Sequence, residues 1–147
     1  MADVTLVWTG DRIQFLGTTA YGEPVGVGGD ADGPGAKPSD LLPVSLAACT
    51  AYDVVVILRK QRQDLRTLEV TVSSTQDPDP PWTFRAMHMR FVLTGAVDER
   101  KAAKAVDLAE RKYCATAATL RSVVDLTHEV VVLPADRSGP GPGPVGH

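Results

Sequence analysis

Cysteine is scarce in this chain, with only Cys49 and Cys114 among 147 residues. Two thiols cannot staple a disulfide mini-protein or complete a four-cysteine zinc site, and neither has a close Cys or His neighbour in sequence. No metal is expected. Excess positive charge is missing too: 15 Lys+Arg stand against 18 Asp+Glu, a net charge of −3. That leaves no basic footprint for nucleic acid. Long apolar runs are absent, the longest being Val54–Leu58, well short of the ~20 residues a bilayer requires. The start, Met-Ala-Asp-Val-Thr-Leu-Val-Trp, lacks the basic segment and apolar stretch of a signal peptide. The expectation is a cytoplasmic protein with no membrane partner. A 44% hydrophobic and 22% charged composition is that of an ordinary globular chain, long enough to bury a core unaided.

What is present reads first as β structure. Val4, Leu6 and Trp8 alternate with Thr5 and Val7, Thr9-Gly10-Asp11 offers a hairpin turn, and Ile13–Leu16 returns as a second strand. Tyr21-Gly22-Glu23-Pro24 is another turn, with a short strand around Val25–Val27. Residues 28–38 form a loop dense in Gly, Asp and Pro. It has no Gly-Lys-Ser/Thr ending and follows no long apolar strand, so it is not a phosphate loop. It reads as a mobile cover or a plain surface loop.

A helix is expected over about 39–61, with Ser39 as N-cap, Asp40 in the first turn and Arg59, Lys60 and Arg62 at the far end. Pro43 is tolerable so near the start. Between the ends the sequence is apolar almost all the way round, which calls for burial on most sides. At 1.5 Å per residue it would span about 33 Å, too much for one small chain to wrap. A homodimer could share the task.

Further on, Leu68, Val70 and Val72 alternate as a half-buried strand, and Asp77-Pro78-Asp79-Pro80-Pro81 breaks it. The next strand, 84–93, places Met87, Met89, Phe91 and Leu93 on one face and His88 and Arg90 on the other. A second helix runs from Asp98 to about Ser122, bent near Tyr113, with Ala102, Ala105, Val106 and Ala109 as its stripe. His128–Leu133 is a last strand. The order is β-β-β-α-β-β-α-β in one domain over 1–136, and the Gly/Pro-rich tail 137–147 is expected to be disordered.

The two thiols admit two readings, inert core residues or a redox pair that can close one bridge. A reactive Cys49 needs a cation or donors from another segment. It lies nine residues past Asp40, and the helix dipole fades within the first turn. Asp53, one turn on, would oppose a thiolate.

Here the sequence resembles a known family, the OsmC/Ohr proteins (osmotically inducible and organic hydroperoxide resistance). The resemblance rests on Lys37-Pro38-Ser39-Asp40-Leu41-Leu42, on Leu46-Ala47-Ala48-Cys49-Thr50 followed by Asp53-Val54-Val55, and on Lys112-Tyr113-Cys114. Leu58-Arg59-Lys60 and Phe91-Val92-Leu93-Thr94-Gly95 look like its YhfA-type branch. The resemblance implies an α/β (α+β) OsmC-like fold in an intertwined homodimer, with sheets wrapping two central cysteine-bearing helices. It also implies thiol peroxidase chemistry in oxidative-stress defence. Cys49 would attack a peroxide and become a sulfenic acid, and Cys114 would condense with it to a disulfide. An external dithiol, lipoyl groups in the well-studied branches, would reduce the bridge. No metal or bound cofactor is implied.

Two departures stand out. In the hydroperoxide reductases of this family a glutamate follows the motif proline and orients an arginine beside the thiolate. Here Ser39 holds that position, with the shorter Asp40 one residue later. The arginine comes from the N-terminal hairpin in those enzymes, and Arg12 is the hairpin's sole arginine here. Arg12 and Asp40 thus join Cys49 and Cys114 as candidate site residues, a solvated turn charge being the plain alternative for Arg12. Beside the peroxidase stand a redox-sensing or ligand-binding dimer without turnover, and a structural dimer with inert thiols.

Overall fold

The computed structural model describes residues 3–10 and 12–135. The end of the expected domain at 136 and the tail 137–147 lie outside the described residues, as does Asp11 of the first hairpin turn. The chain divides into two compact units, one up to Val44 and one from Ser45.

The first unit is a three-stranded antiparallel sheet of β1 (Thr5–Trp8), β2 (Gln14–Thr18) and β3 (Val25–Gly28) in sequential order. In the hairpin, Trp8 pairs with Phe15 and Thr5 with Thr18. Arg12, in the turn, adopts a left-handed backbone at φ 54°, and its carbonyl accepts a bond from the Trp8 indole at 2.9 Å. The glycine-rich loop after β3 is pinned to this sheet. Asp30 accepts from the Ile13 amide at 2.9 Å and from the Gln14 side chain at 3.0 Å. The Gly35 amide donates to Gln14 at 3.1 Å, and Ala36 bridges in parallel to Val27.

A 3-10 turn, Pro38–Asp40, leads into helix α1 (Leu41–Lys60). The helix therefore starts two residues later than the expected cap, and Ser39 lies inside the turn instead of capping it. Proline opening the turn has no amide to leave unpaired.

In the second unit β4 (Asp64–Gln76) and β5 (Phe84–Ala96) form a long antiparallel hairpin, and β6 (Asp125–Leu133) joins β5 in parallel. A parallel neighbour needs a crossover. It is made by α2 (Glu99–Leu108), a π-helical turn (Ala109–Tyr113) and α3 (Ala115–Leu120). Asp98 caps α2, its carboxylate accepting from the Lys101 amide at 3.0 Å. The bend expected near Tyr113 is this π turn.

β5 does not end at Gly95. The strand continues to Ala96, and Gly95, at φ +140°, sits opposite an irregular register between Leu65 and Thr67. A Cβ there would lie 2.0 Å from the Asp64 carbonyl oxygen. Glycine is what lets the two strands close past this bulge.

Alternation settles the sheet's two faces. Met87, Met89, Phe91 and Leu93 are fully buried and pack with Leu46, Val54 and Leu58 of α1 and the alanine stripe of α2. His88 lies on the outer face, its ring meeting Thr127 Oγ1 at 2.7 Å and Glu129 Oε1 at 3.0 Å. Only one stripe of α1, Leu46, Thr50, Val54 and Leu58, is buried. Leu42, Val44 and Tyr52 face outward, with Tyr52 71% exposed. Expected burial on most sides is thus not met within the single chain.

Candidate active site

Cys49 occupies the middle of α1, half-buried, one residue before the buried stripe position Thr50. Thr50 donates its hydroxyl back within the helix, to the Leu46 and Ala47 carbonyls at 2.8 and 3.1 Å. Its oxygen also lies 3.7 Å from Met89 Sδ, so this turn of α1 is tied to the sheet. A buried hydroxyl satisfied within its own helix leaves no orphaned polar group.

Cys114 arrives by a different route. It ends the π turn and begins α3, with an extended backbone at φ −84°, ψ 110°. Its amide donates to the Ala109 carbonyl at 2.8 Å, and its sulfur caps α3 by accepting the Ala117 amide at 3.2 Å. The side chain is buried, only 2% exposed. Ser45 of α1 and Thr116 of α3 share a hydroxyl hydrogen bond at 3.1 Å, a second tie between the two cysteine-bearing segments.

These placements bring the two thiols together. Cys49 is close enough to act on the Cys114 thiol. Burial chiefly, and then the neighbouring Cys49 side chain, push the Cys114 thiol up to about 11, against the weaker opposing pull of the Ala117 amide. At neutral pH Cys114 is therefore a protonated thiol beside Cys49. Both cysteines are free. Of the two, Cys49 is half-buried and Cys114 buried.

The other two candidates lie in the first unit. Arg12 makes an ion pair with Asp32 and a longer one with Asp30, at 3.6 Å. Asp30 is held below the usual carboxylate range by its bonds from the Gln14 side chain and the Ile13 amide, with Arg12 adding to the effect. Asp40 closes the 3-10 turn ahead of α1, exposed, its amide donating to the Lys37 carbonyl at 3.0 Å. The sequence pattern alone does not single out Asp30 and Asp32 as partners of Arg12. The signal available was two carboxylates in the loop after the strand that pairs with the hairpin. Among the described residues no group of three or more His, Cys, Asp or Glu could hold a metal ion.

Comparison with known proteins follows the same lines. The family model described as OsmC-like protein matches residues 29–129. The chain is 33% identical over 126 residues to Protein YhfA of Escherichia coli strain K12, covering 85% of this chain and 94% of that one. A hypothetical protein from Aquifex aeolicus VF5 superposes with a TM-score of 0.76 at 26% identity, over 90% of this chain and 97% of the other. The organic hydroperoxide resistance protein OhrB of Bacillus subtilis shares the fold at a TM-score of 0.58 and 23% identity, over 88% and 97%. With the family model matching residues 29–129 and a relative 33% identical over 126 residues, the chain belongs to the OsmC-like protein family.

Proposed function

We propose that this protein is a thiol-dependent peroxidase that reduces organic hydroperoxides, and hydrogen peroxide, through Cys49 and Cys114. The asymmetric thiol pair carries the reading: a half-buried Cys49 contacted by a buried, protonated Cys114. The Cys49 thiolate attacks one peroxide oxygen and the O–O bond breaks. Sulfur loses two electrons and becomes a sulfenic acid, while the other oxygen leaves as alcohol or water with a proton. The Cys114 sulfur then attacks the Cys49 sulfur, and the sulfenic hydroxyl departs as water with the Cys114 proton. An external dithiol reduces the disulfide by two exchanges, which places the cycle in a reducing compartment such as the cytoplasm. Membership of a family that includes organic hydroperoxide resistance proteins supports this chemistry.

Cumene hydroperoxide and hydrogen peroxide consumption with a dithiol donor tests it. Cys49→Ser should abolish turnover, and Cys114→Ser should stall after one equivalent. No consumption by the wild-type protein overturns the reading. One observation favours a non-turnover redox sensor or ligand binder instead. Arg12, the candidate activating cation, already has two carboxylate partners, Asp30 and Asp32, and Asp40 stands exposed.

The functional unit in this reading is a homodimer. An 18-residue window within Pro38–Lys60 has a mean hydropathy of 2.0 with only 22% of it buried, and by length and composition this helix could cross a membrane. Asp53 in its middle and its stripe packed into the core of the second unit favour a shared protein core. A second copy of the chain covers Leu42, Val44 and Tyr52. Sedimentation should give a dimer for the wild type and a monomer for Tyr52→Glu. A monomeric wild type, or one recovered with membranes, sinks this part.

A further inference from the structure

Glu110 is the one acidic or basic residue buried among the described residues. Leaving a carboxylate there without partners would be costly, so its surroundings should show why it is kept. It lies in the π turn that delivers Cys114. Its carboxylate meets His128 Nδ1 of β6, and its backbone carbonyl accepts from Arg121 Nη2 at 2.6 Å. The His128 ring in turn stands edge-on to the buried Phe91, ring centres 6.4 Å apart and planes at 88°. The wide turn before Cys114 is thus held twice, by its side chain to the sheet and by its backbone to the residue after α3. Such turns have an unregistered residue and no inherent reason to hold one shape.

We propose that the Glu110–His128 pair is a positioning clamp for the resolving thiol, fixing the π turn so that the Cys114 sulfur stays at Cys49. The proposal rests on the reading of Cys114 as the thiol that closes the bridge. Neither residue touches the reacting atoms. They act through the Ala109–Cys114 backbone bond, which spans the turn. Without the clamp the turn relaxes, Cys114 is no longer pre-oriented, and closure slows while the access of Cys49 is unchanged.

One equivalent of Ellman's reagent on the reduced protein separates the two events. The Cys49 thiolate attacks the reagent disulfide and releases one thionitrobenzoate. Cys114 then attacks the mixed disulfide at the Cys49 sulfur, releasing a second thionitrobenzoate and a proton. Glu110→Ala and His128→Leu should slow the second release by about tenfold, the loss of one charge-assisted hydrogen bond, and leave the first within about twofold. Glu110→Gln keeps an acceptor for the ring, and His128→Asn keeps a donor where Nδ1 stands. Both should recover to within about threefold of wild type. An unchanged second release in the truncations overturns the proposal. So does an equal slowing of both releases, or conservative variants as slow as the truncations. Should the truncations fail to fold, the conservative pair decides, and a slow second release there overturns it. No peroxide enters this assay, so normal closure in a protein that consumes no peroxide rejects the peroxidase and leaves the clamp standing.

Discussion

Cys114, with 2% of its surface meeting solvent, lies beside Cys49, whose side chain helps to hold the Cys114 thiol protonated. Burial and the neighbouring Cys49 keep its proton in place well above neutral pH, while Cys49 remains half-buried on α1. The two sulfurs are neighbours with different accessibility, and this difference orders their chemistry.

Iodoacetamide should accordingly label the reduced protein at Cys49 first. At pH 7.5, a condition chosen near neutrality, Cys114 is expected to react more slowly by about tenfold or more, since the thiolate is the nucleophile. Peptide mass spectrometry over a time course reads the order directly. Preferential labelling of Cys114 would reverse the assignment of roles.

The raised Cys114 value also makes stability depend on pH. The folded thiol ionises at about 11 against an ordinary 9.0, so the folded chain binds more protons than the unfolded one between these values. Stability is therefore full below pH 9 and declines as pH rises from 9 towards 11, by at most roughly 2–3 kcal/mol. Urea unfolding at pH 8 and pH 10.5 should show this loss in the wild type. Cys114→Ser should remove that part of the slope, and a slope identical in both proteins would refute the linkage.

Gly95→Ala tests the bulge. The added Cβ would meet the Asp64 carbonyl at 2.0 Å at a φ that side chains rarely adopt. The β4–β5 pairing must shift, and a loss of about 2–4 kcal/mol is expected from strain and overpacking together. A melting temperature within a degree or so of wild type would show that the strands adjust freely.

Arg12 is tested by competition. If Arg12 activates Cys49, Arg12→Ala slows Cys49 alkylation at neutral pH by about tenfold, as removal of an activating cation would. Asp32→Asn, which frees one end of the guanidinium from its pair, should not slow it. If Arg12→Ala alkylates at the wild-type rate, Arg12 belongs wholly to the hairpin and its loop.

Much of this architecture was legible in the residues themselves. The alternation of Met87, Met89, Phe91 and Leu93, the Asp98 cap and the Asp-Pro break each act over a few neighbours, so local chemistry specifies them. The motifs around the two cysteines carried the resemblance to the family that the match over residues 29–129 shows. Other features needed the folded chain. The Gly95 bulge depends on a carbonyl thirty-one residues away in β4, and no local pattern announces it. Ser39 reads as a cap until the Pro38 turn takes it inside. Glu110 and His128 look like ordinary surface residues in sequence, and only the crossover from β5 to β6 buries one against the other. The sequence determined strands, helices and two thiols because periodicity and capping are short-range. The tertiary structure alone decided which thiol is buried and what holds it, because burial and hydrogen bonding between distant segments exist only once those segments pack.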